Sequence, residues 1–88
     1  MGVKDLPLDS GKRITKTLEA FGWVSHYGKN HFVLAHPEKP PNLVIAIPDH
    51  KQVSRQLLKT ELRKAGISED AFCDVHTGRV KQRLALDL

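Results

Sequence analysis

The sequence predicts a small α+β sandwich made of one helix, three antiparallel strands and a second helix, with both helices on one face of the sheet. Three observations lead there. The chain has 88 residues, enough for one two-layer core and too few for a second fold. Apolar residues recur at helical spacing in two separated stretches, and between these lie three short runs rich in β-branched and aromatic residues, punctuated by Gly, Asn and Pro. One sheet carrying both helices on the same side is the economical way to bury two apolar helix stripes, and it leaves the other sheet face open.

Each element has its own local reason. Over residues 12–21, Ile14, Leu18 and Phe21 fall on one side, with Lys12, Arg13, Lys16 and Glu19 between them. Asp9 or Ser10 can cap the free N–H groups of the first turn, and Gly22 offers the left-handed stop. Residues 23–27 read as a first strand, Gly28, Lys29 and Asn30 as the turn, and His31–Ala35 as a second strand. A proline-rich loop over 36–42 leads to a third strand over 43–47, closed by Pro48. Its continuous apolar character, Leu43 through Ile47, predicts a central position or cover on both faces. Residues 54–66 carry Leu57, Leu58, Leu62 and Ala65 on one side, with Ser54 as cap and Gly66 as stop, which predicts the second helix. The segment 80–88 places Val80, Leu84 and Leu88 at helix-compatible spacing, so a short terminal helix used for docking or self-association is expected there.

Charge and cysteine content narrow the class. Lys and Arg number 14 against 10 Asp and Glu, for a net charge of +4 and a sequence pI near 9.5. Such a chain is drawn to polyanions, of which nucleic acid is the commonest. Its single cysteine, Cys73, is incompatible with an internal disulfide framework or a Cys-rich zinc module and suits a reducing cytoplasm. No apolar run approaches membrane-spanning length, and no secretory leader pattern opens the chain, so a cytoplasmic protein without a membrane partner is expected.

Three of the five histidines stand at strand ends: His31 opens the second strand, His36 follows it, and His50 follows the third. Each is a metal ligand, an RNA-handling group or an ordinary polar residue by position alone. A shared metal is disfavoured, because the odd spacing of His31 and His36 sends them to opposite faces of an unbroken strand, and no His-x-His or Cys-x-x-Cys pair exists. No metal and no cofactor is expected.

The motifs SGKRITKTLEAFGW at 10–23, GKNHFVLAHP at 28–37, IAIPDH at 45–50 and LRKAGISEDAF at 62–72, in that order, resemble the HicA (YcfA-like) family of toxin mRNA interferases. The resemblance covers residues 10–72 and implies a double-stranded-RNA-binding-domain-like α-β-β-β-α fold, with residues 1–9 as an N-terminal arm and 73–88 as a C-terminal extension. It further implies a metal-independent endoribonuclease of a type II toxin–antitoxin system, acting on mRNA and held in check by a HicB-like antitoxin. The family's catalytic histidine opens strand two, so the resemblance carries that role to His31. Lys29 would then hold the phosphate, with Lys12 and Arg13 as further RNA contacts. Lys29-Asn30 stand where the family usually has Gly-Ser, and Arg55-Gln56-Leu57 where it often has Lys-Gly-Thr. The competing expectation is a non-catalytic RNA-binding or protein-interaction module on the same fold.

Overall fold

A computed structural model of the chain describes residues 6–40 and 42–78. The elements run α1 (Gly11–Glu19), β1 (Val24–Gly28), β2 (His31–Ala35), β3 (Val44–Pro48), α2 (Arg55–Ala65) and α3 (Glu69–His76). The three strands form one antiparallel sheet in the order β1-β2-β3. The expected α-β-β-β-α layout is therefore present, with α3 added to it. The terminal helix expected over 80–88 lies outside the described residues.

Side-chain alternation assigns the two sheet faces. Leu34, Ile45 and Ile47 are fully buried, and Phe32 packs against the core, so the positions between them point the other way. Ile14 and Leu18 of α1 and Leu58, Leu62 and Ala65 of α2 close over this inner face. The register puts Val24, His26 and Gly28 of β1, His31, Val33 and Ala35 of β2, and Val44, Ala46 and Pro48 of β3 on the outer face. Val24, His26, His31, Val44 and Ala46 are all exposed, so that face is open.

The third strand departs from expectation. It lies at a sheet edge, and its burial alternates instead of running through on both faces. A run of apolar residues looks central in sequence, yet Val44 and Ala46 are small enough to stand in solvent at little cost. The edge is closed on its hydrogen-bonding side by α2: the Ala46 N–H donates to Glu61 Oε1 at 3.2 Å, and Lys64 pairs with the same carboxylate at 3.2 Å. An edge satisfied this way is a poor template for a further strand.

The first helix begins where the sequence suggested, and the choice of cap is resolved. Ser10 Oγ accepts from the Arg13 N–H, while Asp9 Oδ1 accepts from the Ser10 N–H at 2.7 Å. The helix start presses on the end of β3, with the Gly11 N–H donating to the His50 carbonyl. A Cβ on Gly11 would stand 1.9 Å from the Pro48 carbonyl oxygen, so only glycine lets the two backbones approach. After the helix, Gly22 adopts φ +97°, and a Cβ there would lie 2.7 Å from His36 Nε2.

The segment before α1 and the helix after α2 both belong to the core. Leu6 is buried, its carbonyl accepts from Arg55 Nε at 2.6 Å, and the Asp9 carbonyl accepts from the Val53 N–H. Residues 6–9 are thus packed into the domain. Helix α3 starts at Ser68, whose hydroxyl accepts from the Ala71 N–H, and Glu69 and Asp70 in its first turn suit the positive helix end. It buries Phe72 and Cys73 and runs across the boundary expected after residue 72.

Candidate functional site

His31 sits on the open face, at the start of β2, and its imidazole is fixed by the turn before it. Gly28 pairs with His31, so the hairpin loop is the two residues Lys29 and Asn30. Both have positive φ, 45° and 67°, the signature of a type I′ turn whose twist matches that of the strands. Lysine at such a φ is uncommon, and residues held there cluster at functional positions. The turn leaves the Lys29 carbonyl oxygen 3.0 Å from His31 Nδ1. A carbonyl only accepts, so Nδ1 carries the hydrogen and the neutral ring presents its Nε2 lone pair outward.

The surroundings of His31 are open. Its cross-strand partner Gly28 lacks a side chain, and nothing lies within 4 Å of where a Cβ there would stand. On the other side it faces Pro48. The turn is braced from just past the end of β3, where the Asp49 N–H donates to the Asn30 carbonyl at 2.9 Å. On the inner side the Tyr27 hydroxyl donates to Asp49 Oδ2 at 2.9 Å, and its ring meets Phe32 edge-on at 5.0 Å. The hydrogen bond to the Asp49 carboxylate holds the Tyr27 pKa above its ordinary value, because losing that proton would set two negative charges face to face.

The remaining candidates fall in different places. Lys29 is exposed in the turn next to His31. Lys12 is exposed in the first turn of α1, at the same end of the molecule but in the helical layer behind the sheet. Arg13 is turned elsewhere: its Nε lies 3.0 Å from Asp9 Oδ2, and it lines a groove of about 330 Å³ with Lys16, Thr17, Ala20, Val75 and His76. His31 and Lys29 therefore form one site, which Arg13 does not join. His36 has both nitrogens engaged: Nε2–H donates to the Phe21 carbonyl at 3.2 Å, Nδ1 accepts from the Glu38 N–H at 3.0 Å, and the ring meets Trp23 edge-on at 5.2 Å. Among the described residues, no group of three or more His, Cys, Asp or Glu side chains is arranged to hold a metal ion, and no helix is long and apolar enough to cross a membrane.

Sequence reasoning missed His76. Its side chain is only 5 % exposed, Nε2 lies 2.9 Å from Asp9 Oδ2, Nδ1 lies 2.6 Å from the Thr17 hydroxyl, and the ring stacks on Phe72. Burial raises the Asp9 pKa, but the Ser10 N–H, His76 and Arg13 outweigh it and hold the carboxyl below its ordinary value. The available signal was Ser68 followed by Glu69 and Asp70, a helix start that would have placed His76 at a helix end. Compared with models of known protein families and with curated proteins, the chain gives no match.

Proposed function

We propose that this chain is a cytoplasmic endoribonuclease of the toxin mRNA interferase kind, with His31 as its proton-transfer residue and a HicB-like antitoxin as its partner. The observation that carries the reading is the state of His31: one ring nitrogen tied to the Lys29 carbonyl, the other on an open sheet face with no partner among the described residues. That arrangement suits a base that takes the proton from a ribose 2′-hydroxyl as the oxygen attacks the adjacent phosphorus. Near neutral pH imidazole serves equally to accept and return a proton, and such help is worth about 10²–10⁴-fold in rate. Lys29, two residues away, supplies positive charge for the phosphate, and Lys12 extends the basic surface at that end. The order of motifs over residues 10–72 supports the same reading.

Inducing the chain in growing cells tests it. The wild-type chain arrests growth with cleavage of mRNA, and co-expressed antitoxin relieves the arrest. His31→Ala accumulates as a folded protein and does neither. Arrest that persists undiminished with His31→Ala removes the catalytic assignment. RNA binding without cleavage by the wild-type chain favours the non-catalytic module.

A further inference from the structure

A second histidine shares the open face with His31. The register pairs Gly28 with His31 and His26 with Val33, so His26 and His31 are diagonal neighbours on adjacent strands, pointing to the same side. Diagonal positions of an antiparallel pair lie about 7–8 Å apart, somewhat less at Cβ. Gly28 stands next to His26 on this face of β1 and opposite His31, and a Cβ there would meet nothing within 4 Å; Val33 fills the remaining corner of the patch. His26 is exposed and makes no hydrogen bond among the described residues. Two imidazoles thus occupy opposite corners of a patch whose Gly28 corner carries no side chain.

We propose that His26 is the general acid of the ribonuclease reaction and that the scissile phosphate sits over Gly28, between His26 and His31. This rests on the ribonuclease reading given above and assigns its second proton. Attack by a ribose 2′-oxygen needs a base on one side of the phosphorus and, in line with it, a donor for the departing 5′-oxygen. His31 Nε2 takes the 2′-hydroxyl proton while the 2′-oxygen bonds to phosphorus. The P–O5′ bond breaks with its electron pair going to O5′, and protonated His26 delivers a proton to that oxygen. The products are a 2′,3′-cyclic phosphate and a free 5′-hydroxyl, with one proton gained at His31 and one lost from His26. Each acting nitrogen must lie about 2.6–3.2 Å from its oxygen. With the two oxygens on opposite sides of one phosphorus, the nitrogens must be several ångströms apart, as diagonal side chains on adjacent strands are.

The roles follow from the bonds each ring makes. His31 has its hydrogen directed into the Lys29 carbonyl, which leaves a lone pair outward and suits the base. His26 has no such tie and is free to present a proton. No carboxylate occupies an outer-face position of the three strands; Lys29 lies at the turn, and Glu61 approaches only the far edge at Ala46, paired with Lys64.

The test uses the purified full-length chain, a uridylyl dinucleotide, and uridine 3′-(4-nitrophenyl phosphate), whose leaving group departs without a proton. His26→Gln should cut dinucleotide cleavage by about 10²–10⁴-fold and leave the nitrophenyl ester within a few-fold of wild type. His31→Gln should impair both. Gly28→Val, whose added side chain meets open space, should leave the fold intact and lower both activities by filling that corner. Equal losses on the two substrates with His26→Gln, or no loss on either, overturn the assignment of His26 while leaving the ribonuclease reading in place. A wild-type chain that cleaves neither substrate nor mRNA overturns both.

Discussion

Replacing His76 by alanine should destabilise the domain by about 2–4 kcal/mol, and the structure shows where the loss comes from. The imidazole is almost entirely buried, with Asp9, Thr17 and Phe72 on three sides. A hydrogen bond to a charged group is worth about 1.5–3 kcal/mol, and a neutral one about 1. The ring stack at 5.4 Å and 16° adds about 0.5–1.5 kcal/mol beyond its area. Part of this is offset, because Asp9 keeps the Ser10 N–H and Arg13, and Thr17 keeps the Arg13 carbonyl at 3.2 Å. The expected total therefore falls below the simple sum. For a domain of this size the whole stability is roughly 4–13 kcal/mol, so the variant loses a large share of it. Urea unfolding followed by the fluorescence of Trp23, buried in the core, measures the change as a shift in midpoint at unchanged slope. A loss below about 0.5 kcal/mol, within the usual range of surface substitutions, would refute the claim that the buried imidazole ties α3 to α1.

Other outcomes follow from single features. Thr15 is buried and its hydroxyl has no partner among the described residues, so Thr15→Val should stabilise the domain by about 1 kcal/mol in the same urea assay; destabilisation would mean that the hydroxyl is satisfied. The Asp9 carboxyl is held below its ordinary value of 3.8, so its ionised form adds stability that is fully present above the unfolded value and is lost as pH falls through the lower folded one. Asp9→Asn should therefore flatten the acid limb of a stability–pH curve below about pH 4 and leave no such difference if the carboxylate is inert. With Lys29 and Lys12 contacting phosphates and Arg13 held by Asp9, the logarithm of RNA affinity should fall with the logarithm of salt at a slope of about −1.4, the value for two contacts on a single strand. A slope near zero would remove the electrostatic part of RNA binding, and a slope of about −2 would mean that Arg13 leaves Asp9 to make a third contact.

The second strand over His31–Ala35 and the turn before it were readable in advance, because strand-forming and turn residues act locally in the chain. So were the cap at Ser54 and the left-handed stop at Gly66, which rest on their own neighbouring backbone; the end of α1 was not, since the helix closes at Ala20, two residues before the expected stop at Gly22. The edge position of β3 was not readable, because an apolar run does not reveal which strand pairs beyond it or that Glu61 will cover its free N–H. Helix α3 was missed because it is short, and its burial depends on a contact with α1 far away in sequence. The candidate site was half legible. His31 could be singled out, but its tautomer depends on a carbonyl turned by two positive φ values, and its pairing with His26 depends on strand register.

Cleavage of RNA by the purified chain and by its His31→Ala variant, each shown to be folded by its unfolding transition, measures the central claim most directly. The account predicts that the wild-type chain cuts mRNA in vitro and that the variant, unfolding at nearly the wild-type urea midpoint because His31 is exposed, cuts at least about 10²-fold more slowly. Equal cleavage by the two proteins, or none by a folded wild-type chain, would contradict it.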